Sequence, residues 1–177
     1  MNFVNPEDVI KNLDIQPGAK VADFGSGSGY FALITARVVG PDGLVTAIDI
    51  LEPKLNTVKS AAQAQGLLNL NYVRANLELA GSSGLPDSSQ DAVLLTNILF
   101  QSQKKEDIVK EAQRVLKTGG EMAVIEWEIN SEIGGQESGW KISKEAAQTL
   151  IAGLGFSLAK EIPAAAHHWG LLFKKSK

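Results

Sequence analysis

The residues most able to do chemistry gather around "GSGSG", residues 25–29, which separates an apolar run ending in Asp23 and Phe24 from "YFALITARVV". Glycines spaced in this way let a backbone turn approach a ligand closely. The overlapping "GSGYFA", from Gly27 to Ala32, formally matches the dinucleotide pattern G-x-G-x-x-G/A. Charge separates the possible ligands. Asp23 lies two residues before Gly25, where a pyrophosphate would meet an unfavourable carboxylate. S-adenosylmethionine brings a sulfonium and an ammonium instead, and an adjacent acid suits both. Asp49, which ends "LVTAID", can accept hydrogen bonds from two ribose hydroxyls and serves either kind of adenosine ligand. The acid ahead of the glycines therefore favours methyl transfer over the hydride transfer of a nicotinamide-dependent dehydrogenase.

Further along, Asn97 ends an apolar run, and Glu126 and Trp127 end another. Asn97 and Glu126 are the candidates for catalysis. Trp127, Trp140 in "IGGQESGW" and one of the adjacent His167 and His168 are candidates for contact with a substrate. Neighbours in a strand point to opposite faces, so only one of the two histidines can reach a site, and His167 is taken as the candidate. The chain has no cysteine and these are its only two histidines. A cysteine nucleophile is excluded, and no metal is expected.

The elements that must position these residues can be read from the punctuation of the chain. "KVADF", "LVTAID", "NYVRA", "DAVLLT" and "EMAVIEW" read as strands, and residues 30–39, 52–65, 105–116 and 143–154 read as helices. "KTGG" reads as the turn that closes the third of these helices. Asn5 caps a further helix that opens with Pro6, Glu7 and Asp8 and ends at Pro17-Gly18. Strand and helix alternate, as in a parallel sheet covered on both faces. The last two strands, "FSLAKEI" and "HWGLLFKK", are joined by a short Pro-Ala turn, so they are expected to be antiparallel. Residues 75–90, "ANLELAGSSGLPDSSQ", carry no helical period. Extended, they reach roughly 50 Å at about 3.3 Å per residue, which is enough to return from a sheet edge to its centre without a helix.

With 177 residues, 44% hydrophobic and 21% charged, the chain is expected to be one domain, 1–177, made of an N-terminal helix in 1–17 and a sheet core in 18–177. The net charge of −3 and scattered lysines give no basic groove, so nucleic acid is not expected as a partner. No apolar run approaches the roughly 20 residues of a membrane span. The polar, acidic start is unlike a signal peptide, and a cytoplasmic location is expected. Oligomeric state is not legible.

"VADFGSGSGYF" followed by "VTAIDI" resembles the first two motifs of class I S-adenosylmethionine-dependent methyltransferases. "RANLELAGSSGLPDSSQDAVLLTNILFQ" resembles their third and fourth, and "RVLKTGGEMAVIEW" their fifth, near the branch of ubiquinone/menaquinone biosynthesis methyltransferases. The resemblance implies an α/β, Rossmann-like, doubly wound seven-stranded sheet of order 3-2-1-4-5-7-6 with its last strand antiparallel. It implies a cofactor site of Asp23, Gly25, Ser26, Gly27, Gly29, Tyr30, Asp49, Ile50, Asn76, Leu77 and Asn97. Within it, Asp49 would hold the ribose, Ile50 and Leu77 would flank the adenine, and the Asn76 carbonyl would accept from the adenine amino group. Asp23 and Asn97 would face the methionine end, with all three glycines admitting the cofactor. The implied activity is methyl transfer to a small molecule. The alternatives are an RNA or protein methyltransferase, or a catalytically silent subunit that binds the cofactor.

Overall fold

The structure, a computed structural model, describes residues 4–131 and 140–176. The elements run α1 (Pro6–Ile10), β1 (Lys20–Phe24), α2 (Tyr30–Val39), β2 (Leu44–Asp49), α3 (Glu52–Ala64), β3 (Leu70–Arg74), β4 (Gln90–Thr96), a 3-10 turn (Leu99–Gln101), α4 (Lys105–Val115), β5 (Leu116–Trp127), α5 (Lys144–Gly153), β6 (Phe156–Glu161) and β7 (His168–Lys175). The seven strands form one sheet, β3-β2-β1-β4-β5-β7-β6. β1 to β5 pair in parallel, and β7 runs antiparallel to both β5 and β6. This is the architecture expected from the sequence.

Both faces of the sheet are covered, and the period of two along each strand sorts side chains between them. Val21 of β1 and Leu94 of β4 join Phe31, Ala36, Leu55 and Val58 of α2 and α3. Ala22, Phe24, Val93 and Leu95 join Ile108 and Ala112 of α4 and Ile151 of α5 on the other face. Apolar runs such as "AVLLT" follow directly from burial on both sides.

Residues 75–89 carry the chain from the edge strand β3 to the central β4 with no helix, as their composition predicts. A clip from α4 holds them instead. Glu111, only 2% exposed, accepts from Gly81 N–H (2.8 Å) and the Ser83 hydroxyl (2.5 Å). Arg114 reaches Leu85 O (2.8 Å) and the Asp87 carboxylate (2.5 Å).

Two local expectations are corrected. "KTGG" does not separate a helix from a strand; it is a bulge within β5. The register with β4 jumps from Gln90–Leu116 to Ala92–Glu121, so residues 117–120 loop out, with Gly119 at φ 76°. The N-terminal helix is also far shorter than 1–17. After Ile10 the ladder gives way: the Asn12 side-chain amide caps Asp8 O (2.8 Å), Asp14 N–H donates to Glu121 (2.7 Å), and Gly18 N–H donates to Val39 O (2.7 Å).

Candidate functional site

β1 and β4 lie side by side at the sheet centre, and the chain leaves them in opposite directions, so their carboxyl ends open a crevice. The 25–29 turn forms one wall. Gly25 and Ser26 N–H both donate to Ile48 O (2.8 and 2.9 Å), which folds the turn over the end of β2. Gly25, Gly27 and Gly29 all have positive φ (72°, 52° and 83°), a conformation costly for other residues.

Their surroundings differ, and this corrects the expectation that all three admit a ligand. A Cβ on Gly29 would lie 2.7 Å from Val58 Cγ1, so this glycine serves the packing of the turn on α3. A Cβ on Gly25 would meet Ile98 Cδ1 at 2.8 Å, whereas one on Gly27 meets no other atom nearer than 4.0 Å. Of the three, only Gly27 would point a Cβ into open volume.

Two cavities flank this turn. The first, of about 470 Å³, is lined by Asp49, Ile50, Lys54, Asn76, Leu77 and Glu78, among others. The second, of about 560 Å³, is lined by Asp23, Ser26, Tyr30, Asn97, Trp127 and His168, together with Phe31, Thr96 and Val4 and Pro6 at the N-terminal end. Gly25, Gly27 and Gln101 belong to both. The two acids named from the sequence are thus divided, Asp49 in one cavity and Asp23 in the other.

In the first cavity, Asp49 Oδ2 accepts from Gly27 N–H (2.9 Å) and Oδ1 from Leu51 N–H (2.9 Å). Each carboxylate oxygen keeps a lone pair for a ligand. Asn76 Oδ1 accepts from Glu78 N–H (3.0 Å), which fixes the amide at the cavity wall. Ile50 presents an exposed side chain there, and Leu77 a buried one.

The second cavity holds polar atoms with no partner. Asp23 Oδ2, Ser26 Oγ, Thr96 Oγ1 and Asn97 Oδ1 are all buried and unpaired, and all four residues line this cavity. Buried polar groups are rarely left unpaired, so four together mark a place for a ligand that donates hydrogen bonds. Burial pushes the Asp23 carboxyl up to about 7, against the Ala32 N–H and with the Asp49 charge adding to the rise. A cation beside it would restore the ionised form.

Glu126 does not line either cavity, which corrects its reading as a candidate for catalysis. Its side chain is 1% exposed and turns under the segment after β4, where Oε1 accepts from Leu99 N–H (2.5 Å). Burial raises its carboxyl to about 7, opposed by the N–H groups of Leu99, Phe100 and Ile98 and by Lys105. It anchors the segment bearing Ile98 and Gln101, so its influence on the site is indirect.

The histidine expectation is also corrected. His167 is exposed, sits at φ 72° in the turn before β7 and lines neither cavity. His168 is the first residue of β7, pairs in register with Trp127, and stacks on it with ring centroids 3.8 Å apart. Trp140 is 43% exposed and lines neither cavity among the described residues; residues 132–139, which precede it, lie outside those described. Sequence reasoning missed Gln101 and Thr96 altogether. Their only signal was proximity to Asn97 in "TNILFQ".

A methyltransferase domain model matches residues 15–166 of the chain. The ubiquinone/menaquinone biosynthesis C-methyltransferase UbiE of Shewanella pealeana is 32% identical over 119 residues, 67% of this chain and 46% of that protein. An arsenite methyltransferase of Aquipseudomonas alcaligenes is 31% identical over 109 residues, 59% of this chain and 32% of that protein. The chain thus spans less than half the length of these relatives. The crystal structure of a SAM dependent methyltransferase from Aquifex aeolicus shares the fold, with TM-score 0.86 and 21% identity over 98% of this chain and 90% of that one.

Proposed function

The chain belongs to the class I S-adenosylmethionine-dependent methyltransferases, and from that membership we propose that it transfers a methyl group to a small molecule. The observation that carries the proposal is the division of polar groups across the glycine turn. Asp49 and Asn76 line one cavity, and the unpaired Asp23, Ser26, Thr96 and Asn97 atoms line the other.

S-adenosylmethionine, when bound, supplies an electrophilic methyl group on a positively charged sulfur. Asp49 offers two acceptor oxygens to ribose hydroxyls, and Asn76 offers its amide carbonyl to the adenine amino group. Ile50 and Leu77 give the ring its apolar walls. Gly27 leaves room for the ligand to cross from one cavity to the other. Asp23, Ser26 and Asn97 offer acceptors to an ammonium, and the Asp23 carboxylate is the charge that distinguishes this ligand from a dinucleotide.

The acceptor side is formed by Phe31, Tyr30, Trp127 and His168. These walls bind planar or apolar surface and exclude water, while the polar atoms at their base orient the reacting partners. With a net charge of −3 and no lysine or arginine lining this cavity among the described residues, a small molecule fits better than a polyanion such as RNA. The names of the two relatives, a ubiquinone/menaquinone biosynthesis C-methyltransferase and an arsenite methyltransferase, accord with small acceptors.

Calorimetry should show the donor and its demethylated product binding and NAD failing to compete. Incubation of the chain with methyl-labelled donor and cell extract should then place label in the small-molecule fraction. Tighter binding of NAD than of the donor, or label found mainly in salt-sensitive RNA complexes, would overturn the proposal.

A further inference from the structure

Given methyl transfer as proposed above, we infer that Glu126, which touches neither cavity, is a positioning residue: its carboxylate holds residues 98–101 in the placement that the adenosine end of the donor needs. The residues it holds are walls of the site. Ile98 and Gln101 line the first cavity, and Gln101 lines the second as well. Ile98 also fills the space that Gly25 leaves, since a Cβ on that glycine would lie 2.8 Å from Ile98 Cδ1. The segment therefore packs directly on the glycine turn.

Three anchors fix the segment. At its start Asn97 N–H donates to Ile125 O (2.8 Å), and at its end the Ser102 hydroxyl donates to Glu78 Oε1 (2.6 Å). Between them Leu99 N–H donates to Glu126 Oε1 (2.5 Å), and the N–H groups of Ile98 and Phe100 face the same carboxyl. Such groups bond a carboxylate about twice as strongly as a neutral acceptor, so the ionised form holds the segment best. A proton on Oε2 would find no acceptor, because that atom is buried without a partner.

Burial works the other way. It raises the Glu126 carboxyl to about 7, with the three N–H groups and Lys105 opposing. Lys105 is the charge that α4 brings to it, and its Nζ donates to Ser102 O (2.5 Å). β7 places Trp169 in register with Glu126 and turns His168 to the opposite face of the sheet. α5 packs on this side through Ala147 and Ile151, and the adjoining end of β4 carries no titratable group. Near neutral pH the two forms of Glu126 are thus close in free energy, and a ligand that needs one of them shifts the balance.

Binding of the adenosine end and loss of the Glu126 proton are therefore linked, each favouring the other. Affinity rises with pH as the carboxyl ionises. Stability moves the opposite way, because a carboxyl raised by folding stabilises the protein below its ordinary range and less as pH climbs through about 7.

The probe is 5′-methylthioadenosine, which carries the adenosine end of the donor and no ammonium for Asp23. Calorimetry on the parent in buffers of different ionisation enthalpy should show a proton released on binding. Affinity should rise at least about fivefold between about pH 5.5 and about pH 8. Glu126→Gln keeps an acceptor oxygen but has no proton to lose, so it should lose that release and most of the rise. Asp23, the other acid raised to about 7, is the same in both proteins, so the difference belongs to Glu126. Glu126→Leu keeps neither oxygen and should bind more weakly than Glu126→Gln at every pH; the comparison of the parent with Glu126→Gln does not depend on its folding. A merely structural role predicts that affinity follows stability down as pH rises. Equal pH dependence in the parent and Glu126→Gln, or equal affinity in folded Glu126→Leu and Glu126→Gln, would overturn the inference while leaving methyl transfer intact. Binding of neither the donor nor 5′-methylthioadenosine would overturn the methyl-transfer reading, and this inference with it.

Discussion

Gly29→Ala should unfold the protein far more readily than Gly27→Ala, although the two glycines stand in one motif. Both substitutions place alanine at positive φ, 83° and 52°, at a cost of about 1–2 kcal/mol. At Gly29 the new carbon also meets Val58 Cγ1 at 2.7 Å, Cγ2 at 2.8 Å and Cβ at 3.1 Å, well inside the contact distance of about 3.5–4.0 Å. Val58 is fully buried on α3 and has nowhere to swing, so overpacking adds about 1–3 kcal/mol. The sum for Gly29→Ala is about 2–5 kcal/mol, against about 1–2 kcal/mol for Gly27→Ala. Urea unfolding measures both, with constancy of the slope as the check that the same transition is compared. Adding Val58→Ala should recover the overpacking share, giving a coupling of about 1–3 kcal/mol in a double-mutant cycle. Calorimetry with the demethylated donor should show the reverse order, with Gly27→Ala losing affinity and folded Gly29→Ala keeping it within about threefold of the parent (~0.65 kcal/mol). Equal destabilisation by the two substitutions, with no coupling to Val58, would refute the assignment of Gly29 to packing.

Three other outcomes are expected. Asp49→Ala removes charge-assisted bonds to two hydroxyls and should weaken donor binding by about 1.5–3 kcal/mol, roughly 10- to 150-fold by calorimetry; an unchanged affinity would place the ribose elsewhere. Glu126 holds its proton up to about pH 7 when folded, against 4.5 ordinarily, so its contribution to stability is full below pH 4.5 and is lost as pH rises through about 7. The stability of the parent relative to Glu126→Gln should therefore fall across that window, and a difference that stays flat from pH 4 to 8 would contradict it. Glu111 behaves oppositely: burial acts to raise it, but Arg114, Ser83 and Gly81 hold it at about 2, so its contribution is present above pH 4.5 and lost as pH falls through about 2. Glu111→Ala leaves Arg114 with less of its charge compensated and should cost about 3–5 kcal/mol in urea unfolding at neutral pH, a loss under 1 kcal/mol being incompatible with the clip.

The sheet was legible because burial on both faces writes itself as apolar runs and the alternation with helices marks a parallel sheet, while the order of its strands came from the family resemblance. The helix-free crossover was legible from glycine, serine and proline in residues 75–90. The N-terminal helix was over-extended because propensity does not record that Glu121 and Val39 capture the backbone beyond Ile10. Asp23, Asp49 and Asn76 could be named from the motif and stand at the crevice. The role of Gly29 could not, since whether a missing Cβ spares a ligand or a neighbouring helix depends on α3. The histidine choice turned on a single residue of strand phase: β7 begins at His168 and leaves His167 in the turn. Glu126 sits at a strand end, as expected, but its side chain passes beneath the following segment, a direction that sequence alone does not contain.

Gly25, Gly27 and Gln101 are walls of both cavities, so the two compartments share a partition. A molecule lodged on one side presents its own atoms as part of the surface offered to the other. Two ligands arranged in this way have linked dissociation constants, and the linkage is reciprocal: whatever factor the donor confers on acceptor affinity, the acceptor confers on the donor. On the proposed reading the donor crosses the turn that this partition carries, so donor first and acceptor second is the expected binding order. The same reading expects spent donor to leave last.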